Sequence, residues 1–341
     1  MDPIADFCRR LPKIELHAHL NGSVSRETIK ELLAQLPSSS PLPLEFEAFE
    51  KQCSLTSLDS FFPLFKFVYG VSNTVKNVQY IAQQVIREFA ADGCQYLELR
   101  STPRAYPNTD LVSKRAYVEA CLAGTHNALA FVPGMHVRWI LSLDRRHSLE
   151  ECIETVDTAI EFMDRGVVGV DLCGEPKAGR FKDLMPALAK ARAAGLKVTL
   201  HIAEIENHEQ ETRDMIDFIP DRIGHGTFLL DDLKEHVVNH AIPIEVCITS
   251  NIACKTVAHI EDHHFHGLYF KGHPCILCTD DKGIFSCTLS GEYLLAASHF
   301  GLSTKAIFEL AYQATDYIFA SDEIKASLQA LFQRFKEEEK L

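Results

Sequence analysis

No apolar run in this chain approaches the roughly 20 residues that a membrane-crossing helix needs, so no such helix is expected. Nor does an N-terminal stretch join a basic patch to a long apolar run and a small-residue cleavage site. Positive charge is scarce as well: 34 Lys and Arg stand against 47 Asp and Glu, a net charge of −13 at pH 7. Proteins that coat nucleic acid or an anionic membrane rely on clustered Lys and Arg, so neither partner is expected, and an anionic ligand must meet local positive charge. The 11 cysteines lack the tight spacing of a small disulfide scaffold, and Cys94, Cys173, Cys247 and Cys278 lie within apolar runs. They read as buried free thiols of a reducing compartment, which makes the cytosol the expected location. No internal repeat or extended low-complexity tract stands out. What remains is a chain of 341 residues, 46% hydrophobic and 24% charged, long enough to bury a substantial core.

Strand-like runs recur at residues 13–20, 95–100, 137–144, 167–173, 197–202, 222–224, 243–249 and 275–279. Between most of them, residues 75–91, 114–130, 148–164 and 181–194 carry apolar positions at helical spacing, and Ser148 with Glu151 has the pattern of a capping box. Eight strands alternating with helices predict parallel pairing through right-handed crossovers and closure into a (β/α)8 TIM barrel, with an open doubly wound sheet as the alternative. Closure is favoured because the runs end in polar or glycine residues: His19, Arg100, Asp144, Gly174, His201, His225, Asn251 and Asp280. The rim at the strand ends is where such barrels build active sites. Residues 1–341 are read as one domain, with residues 23–91 as a helical insertion covering the barrel mouth. That insertion carries a Pro/Ser stretch at residues 37–43, read as a surface loop, and the apolar cluster Phe61, Phe62, Phe65 and Phe67.

Polar residues at those ends form a chemical pattern. In a strand, residues two apart share a face, so His17 and His19 can present both imidazoles to one point. Together with His201 and Asp280 they make a donor set suited to one Zn²⁺ per chain with a position left for water. Glu204, three residues beyond His201, is placed to donate a proton beside the metal. Any one of the 16 histidines is more often a hydrogen-bonded filler, but the ordered occurrence at separate strand ends outweighs that reading. A second zinc pattern, HxE with PCxxC, occurs at His259, Glu261 and residues 274–278. It is read as a decoy, because Cys275 and Cys278 are three apart in a strand-like run and face opposite sides.

With Glu15-Leu-His-Ala-His-Leu-Asn-Gly22, His201-Ile-Ala-Glu204, Arg222-Ile-Gly-His-Gly226, Thr249-Ser-Asn251 and Thr279-Asp-Asp281, the chain resembles the adenosine deaminase family of metal-dependent amidohydrolases over nearly its whole length. Arg100-Ser-Thr-Pro-Arg104, Asp144-Arg-Arg146 and Cys278-Thr-Asp-Asp-Lys-Gly283 are similar to its adenosine deaminase-like branch, the N(6)-methyl-AMP deaminases. The resemblance implies that His17, His19, His201 and Asp280 hold zinc and that Glu204 protonates purine N1. It also implies that His225 and Asp281 orient and deprotonate the attacking water, that His19 and Asp281 contact substrate, and that Gly174 offers backbone to the purine edge. Where the nucleoside-hydrolysing branch has an Asp that accepts from the ribose 5′-hydroxyl, this chain has Asn21. A carboxylate about 4 Å from a phosphate charge would cost roughly 4 kcal/mol at an effective dielectric of 20, whereas an amide can donate. Ser101, Thr102, Pro103 and Arg104 have the composition of a phosphate cradle, with Lys66 as an added charge, and Asp144 either joins the ribose side or pairs with Arg145 or Arg146.

The expected reaction is hydrolytic removal of the C6 amine from a purine nucleoside monophosphate, N(6)-methyl-AMP giving IMP and methylamine, by a monomer. The alternatives are an adenosine deaminase acting on free nucleosides, a metallophosphatase, and a nucleotide-binding sensor without turnover.

Overall fold

Eight apolar runs form eight strands in one sheet, in sequence order, each parallel to the next. They are β1 (Lys13–His19), β2 (Cys94–Ser101), β3 (His136–Asp144), β4 (Val167–Cys173), β5 (Lys197–Ile202), β6 (Arg222–His225), β7 (Ile244–Val246) and β8 (Cys275–Leu277). This computed structural model describes residues 2–36, 40, 42–52, 58 and 62–341. The ring closes beyond β8, where Asp280 forms a parallel bridge with Ala18. His19 N donates to Asp280 O at 2.9 Å and Asp280 N donates to His17 O at 2.8 Å. An open doubly wound sheet is therefore excluded, and the closing hydrogen bonds clamp together three of the expected metal ligands.

Helices Val75–Ala91, Lys114–Leu129, Leu149–Glu161 and Phe181–Ala193 fall where apolar spacing predicted them, each laying its buried stripe on the ring. Ser148 and Glu151 form the reciprocal capping box, with backbone-to-side-chain distances of 2.8 and 3.2 Å. The expected strand at 243–249 is shorter. It stops at Val246, and Ile248–Ala253 is a helix whose entry is held by Thr249 N donating to Glu292 Oε2 at 3.1 Å. Asn251 consequently sits within a helix and not at a strand end.

Between β1 and β2 lie helices Arg26–Leu33, Leu42–Gln52 and Phe65–Val71 and the 3₁₀ turn Phe62–Leu64, ahead of Val75–Ala91, which packs on β2 and on Lys114–Leu129. Phe67 stacks on Phe49 and meets Phe46 at a tilt, centroids 4.8 and 5.8 Å away, and so fills the covering layer's own core, whereas Phe62 and Phe65 face the cavity at the barrel mouth. Phe61, residues 37–39 and residue 41 lie outside the described residues.

The barrel interior is not wholly apolar. Glu15, Glu98, Arg100, Asp171, Arg222 and Glu245 project into it, all fully buried. Arg222 Nε donates to Glu245 Oε1 and its NH2 to Glu98 Oε2, both at 2.6 Å, while Arg100 NH2 donates to Glu245 Oε2 at 2.8 Å. Buried charges persist only when paired, and this network pairs all of them directly beneath the mouth except Glu15, whose carboxyl is raised to about 7 by burial and accepts from His17 N and from Thr279 N and Oγ1. The ten cysteines among the described residues are all unpaired, and among these residues no helix is long and apolar enough to cross a membrane.

Candidate active site

The strand ends turn sharply where the chemistry lies. Ala203, His225 and Asp280, at the ends of β5, β6 and beyond β8, adopt left-handed backbone with φ of 56°, 64° and 61°. Such conformations cost about 1–3 kcal/mol each for residues other than glycine, and the side chains of His225 and Asp280 line the mouth. There a cavity of about 540 Å³ is lined by His19, His201, Glu204, His225, Asp280 and Asp281 on its floor. Asn21, Ser101, Thr102, Arg104, Asp144 and Gly174 stand on one wall, and Phe62, Phe65 and Lys66 on the covering side.

One ligand atom each from His17, His19, His201 and Asp280 lies within 4.8 Å of the others. Asp280 Oδ1 is 3.4 Å from Nε2 of both His17 and His19, and Nε2 of His19 and His201 are 3.2 Å apart. Two imidazoles are oriented from behind: His17 Nδ1 donates to Glu245 Oε2 at 2.7 Å, and His201 Nδ1 to Asp171 Oδ1 at 3.0 Å. With Nδ1 carrying the proton, the Nε2 lone pair is left for the site, and His17 Nε2 is indeed buried without a hydrogen-bond partner. Three imidazoles and one carboxylate fit a tetrahedral or five-coordinate divalent metal. Ser250 Oγ donates to Asp280 Oδ2 at 2.7 Å and fixes the carboxylate.

Around this centre the titrating groups are driven apart. Burial raises the Glu204 carboxyl, favouring its protonated form, and raises Asp281 well above the carboxylate range with help from the adjacent Asp280 charge. Burial also pushes Asp280 upward, but the imidazoles of His17, His225 and His19 outweigh it and hold Asp280 well below that range. Burial lowers His225 to about 3, leaving a neutral base. Its Nε2 stands 3.5 Å from Glu204 Oε1 and 3.8 Å from Asp280 Oδ2. Neighbouring groups with opposed protonation preferences are the raw material of acid and base catalysis.

On the wall, Asn21 Nδ2 donates to Ser72 Oγ at 3.1 Å, and its Oδ1 accepts from Tyr117 OH at 3.1 Å and Ser101 Oγ at 3.2 Å. The Arg104 guanidinium carbon lies over Tyr69, 3.6 Å from the ring centroid, with a buried Nε that meets no protein acceptor. Asp144 is clasped by Arg146, through Nε at 2.8 Å and NH2 at 2.5 Å, which settles its pairing in favour of Arg146 over Arg145. Gly174 has φ of 98°, and a Cβ there would lie 2.8 Å from Asp144 Oδ1, so glycine brings backbone to the cavity. Pro103 is buried but does not line the cavity. The PCxxC pattern forms no metal cluster: among the described residues, neither Cys275, Cys278 nor His259 belongs to one.

Sequence reasoning missed Glu245, Asp171 and Gly22. A charge within an apolar strand run, as in Ile244-Glu245-Val246 and Val170-Asp171-Leu172, was an available signal, because a buried carboxylate needs partners. Gly22 carries no such signal; only the structure shows that a Cβ there would fall 1.4 Å from Asp281 Oδ1.

A profile of the adenosine deaminase family matches residues 12–334. The N6-Methyl-AMP deaminase of Danio rerio is 44% identical over 349 residues, covering 99% of each chain. That of Homo sapiens is 41% identical, covering 97% of this chain and 95% of its own. The crystal structure of Arabidopsis ADAL complexed with IMP superposes with a TM-score of 0.92 at 40% identity, covering 99% of both chains.

Proposed function

This chain belongs to the adenosine deaminase family, and from that premise we propose that it is the hydrolytic deaminase of N(6)-methyl-AMP, releasing IMP and methylamine. One observation carries the reading: a metal-competent His/Asp cluster, a buried carboxyl biased toward protonation and an arginine with an unmet donor share one nucleotide-sized cavity. We assign His17, His19, His201 and Asp280 to one zinc ion. A zinc ion held by these residues would lower the pKa of water at the site toward neutrality.

The chain's own residues supply the rest. Glu204 delivers its proton to purine N1, so that charge developing on the ring during attack at C6 is neutralised. His225, neutral in its buried setting, takes the proton of the attacking water, and Asp281 orients that water. Gly174 presents backbone to the purine edge. Ser101, Thr102 and Arg104 receive the 5′-phosphate, and Lys66 adds charge from the covering side. Asn21, neutral where a carboxylate would repel the phosphate, stands against Ser101. Pro103 acts by fixing that loop, and Asp144 by holding Arg146 beside the cavity. A metallophosphatase would have no use for a protonated Glu204 beside the metal. We take residues 1–341 as one domain, with residues 23–91 contributing the cover, and the protein as a cytosolic monomer; a reducing compartment suits its unpaired thiols.

The test is kcat/KM of the zinc-loaded protein for N(6)-methyl-AMP, N(6)-methyladenosine, AMP and adenosine, with product identified by mass. A marked preference for the methylated nucleotide is expected. Preference for free nucleosides would overturn the phosphate assignment, and tight binding without turnover would make the protein a sensor.

A further inference from the structure

The imidazoles of the site are not all held in the same way. His17 and His201 lean on carboxylates behind them, Glu245 and Asp171, whereas the buried Nδ1 of His225 meets no protein partner. His225 is gripped through its backbone: His264 Nε2 donates to His225 O at 2.8 Å, across 39 residues of sequence. That carbonyl belongs to a left-handed residue, φ 64°, followed by Gly226 at φ 63°, so its direction sets the turn out of β6 and with it the bond that aims the imidazole. His264 is fixed in its turn. Its ring stacks on His263, with centroids 4.4 Å apart and planes 20° from parallel. His263 Nε2 donates to Asn251 Oδ1, and its Nδ1 accepts from Phe265 N, both at 3.1 Å. A ring nitrogen that faces a carbonyl oxygen must carry the proton, and burial lowers His264 to about 4, so it is the neutral Nε2–H tautomer. Neither His263 nor His264 lines the cavity.

We propose that His264 is a positioning residue for the reaction: its bond to the His225 carbonyl holds the His225 imidazole between Glu204 and Asp280, at 3.5 and 3.8 Å. His264 acts in this way only if His225 is the base that takes a proton from the attacking water, as proposed above. Without the donor, a buried carbonyl is left unpaired and the left-handed turn loses a contact that opposes its relaxation. Misplacing a reacting group by about 1 Å costs about 100-fold in rate. The loss should fall on kcat and not on KM, because His264 stands outside the walls that receive the nucleotide.

The experiment compares His264→Phe, which keeps a ring to stack on His263 but has no donor, with His264→Gln, whose amide N–H can reach the position of Nε2. Zinc-loaded proteins are assayed for kcat and KM with N(6)-methyl-AMP, for bound metal and for Tm. His264→Phe is expected to lower kcat by about 10- to 100-fold, with KM within about twofold and metal content unchanged, and His264→Gln to restore most of the rate. A normal kcat in His264→Phe, equal losses in both variants, or a loss matched by lost metal would overturn the assignment. In a His225→Ala background, His264→Phe should cost nothing further, and a second, additive loss would also overturn it. The cycle tells the two roles apart. Unimpaired turnover in His225→Ala alone removes His225 as the base and His264 with it, whereas an impaired His225→Ala beside a normal His264→Phe removes His264 alone. Should His264→Phe not fold, nitrogen NMR of isotopically labelled histidine rings in the wild-type protein keeps a test available: a proton on His264 Nε2 is expected, and a proton on Nδ1 alone would overturn the bond.

Discussion

Glu245 is the residue on which the site leans from below, and its neutralisation separates support of the metal from support of the fold. Its Oε2 accepts from His17 Nδ1 at 2.7 Å and from Arg100 NH2 at 2.8 Å, and its Oε1 accepts from Arg222 Nε at 2.6 Å. In Glu245→Gln one of those oxygens becomes a donor group facing donors. Removing one partner of a buried ion pair costs about 3–5 kcal/mol. The lower end applies, because Arg100 keeps Asp171 at 3.5 Å and Arg222 keeps Glu98 at 2.6 Å. With an unfolding entropy of about 2.1 cal/mol/K per residue, a loss of about 3 kcal/mol lowers Tm by roughly 4 °C for a chain of 341 residues. Independently, an imidazole that loses its carboxylate partner typically costs 10- to 100-fold in metal affinity. Thermal unfolding of the metal-free protein measures the first effect, and competition with a chelator measures the second. A variant that melts with wild type and holds metal equally well would refute the reasoning.

Glu204→Gln should retain metal and substrate affinity while kcat falls by about 100- to 10,000-fold, since the amide has no acidic proton for N1; near-normal turnover in steady-state assays would remove Glu204 from the mechanism. Asn21→Asp should lower kcat/KM for the nucleotide far more than for the nucleoside, and equal losses on both substrates would detach Asn21 from the phosphate. Burial raises the Glu292 carboxyl from 4.5 to about 7, so the folded protein binds a proton more tightly than the unfolded chain. Its stabilising effect is complete below pH 4.5 and is lost as pH rises to about 7. Glu292→Gln, which keeps a neutral group there, should therefore flatten that decline by up to about 1.4 kcal/mol per pH unit. Urea titrations at intervals across the window check it, and an unchanged slope would show that Glu292 titrates normally.

The barrel was legible because its two periodicities alternate cleanly. Apolar runs of three to eight residues marked the strands and 3.6-residue spacing marked the helices, down to the capping box at Ser148. The exception, the end of β7, shows why boundaries fail. Ile248 and Thr249 are good strand formers, yet a carboxylate from Glu292, 43 residues away in sequence, holds the Thr249 backbone at the start of a helix. No local pattern encodes a cap supplied from elsewhere in the fold.

The site was legible to a different depth. Groups whose chemistry is visible in their side chains, His17, His19, His201, Glu204, His225, Asp280 and Asp281, could be read directly and converge on one cavity or its floor. The groups that place them could not be found by spacing, because their partners belong to other strands: Asp171 in β4 holds His201 in β5, and Glu245 in β7 holds His17 in β1. Closure makes this possible. In a ring, the ends of β1 and β8 meet, and the Ala18–Asp280 bridge puts ligands 263 residues apart in sequence within one hydrogen-bonded step of each other. The closing bridge of the barrel and the assembly of the proposed metal ligands are thus one structural event. Substitutions that loosen that bridge should release metal before they unfold the chain.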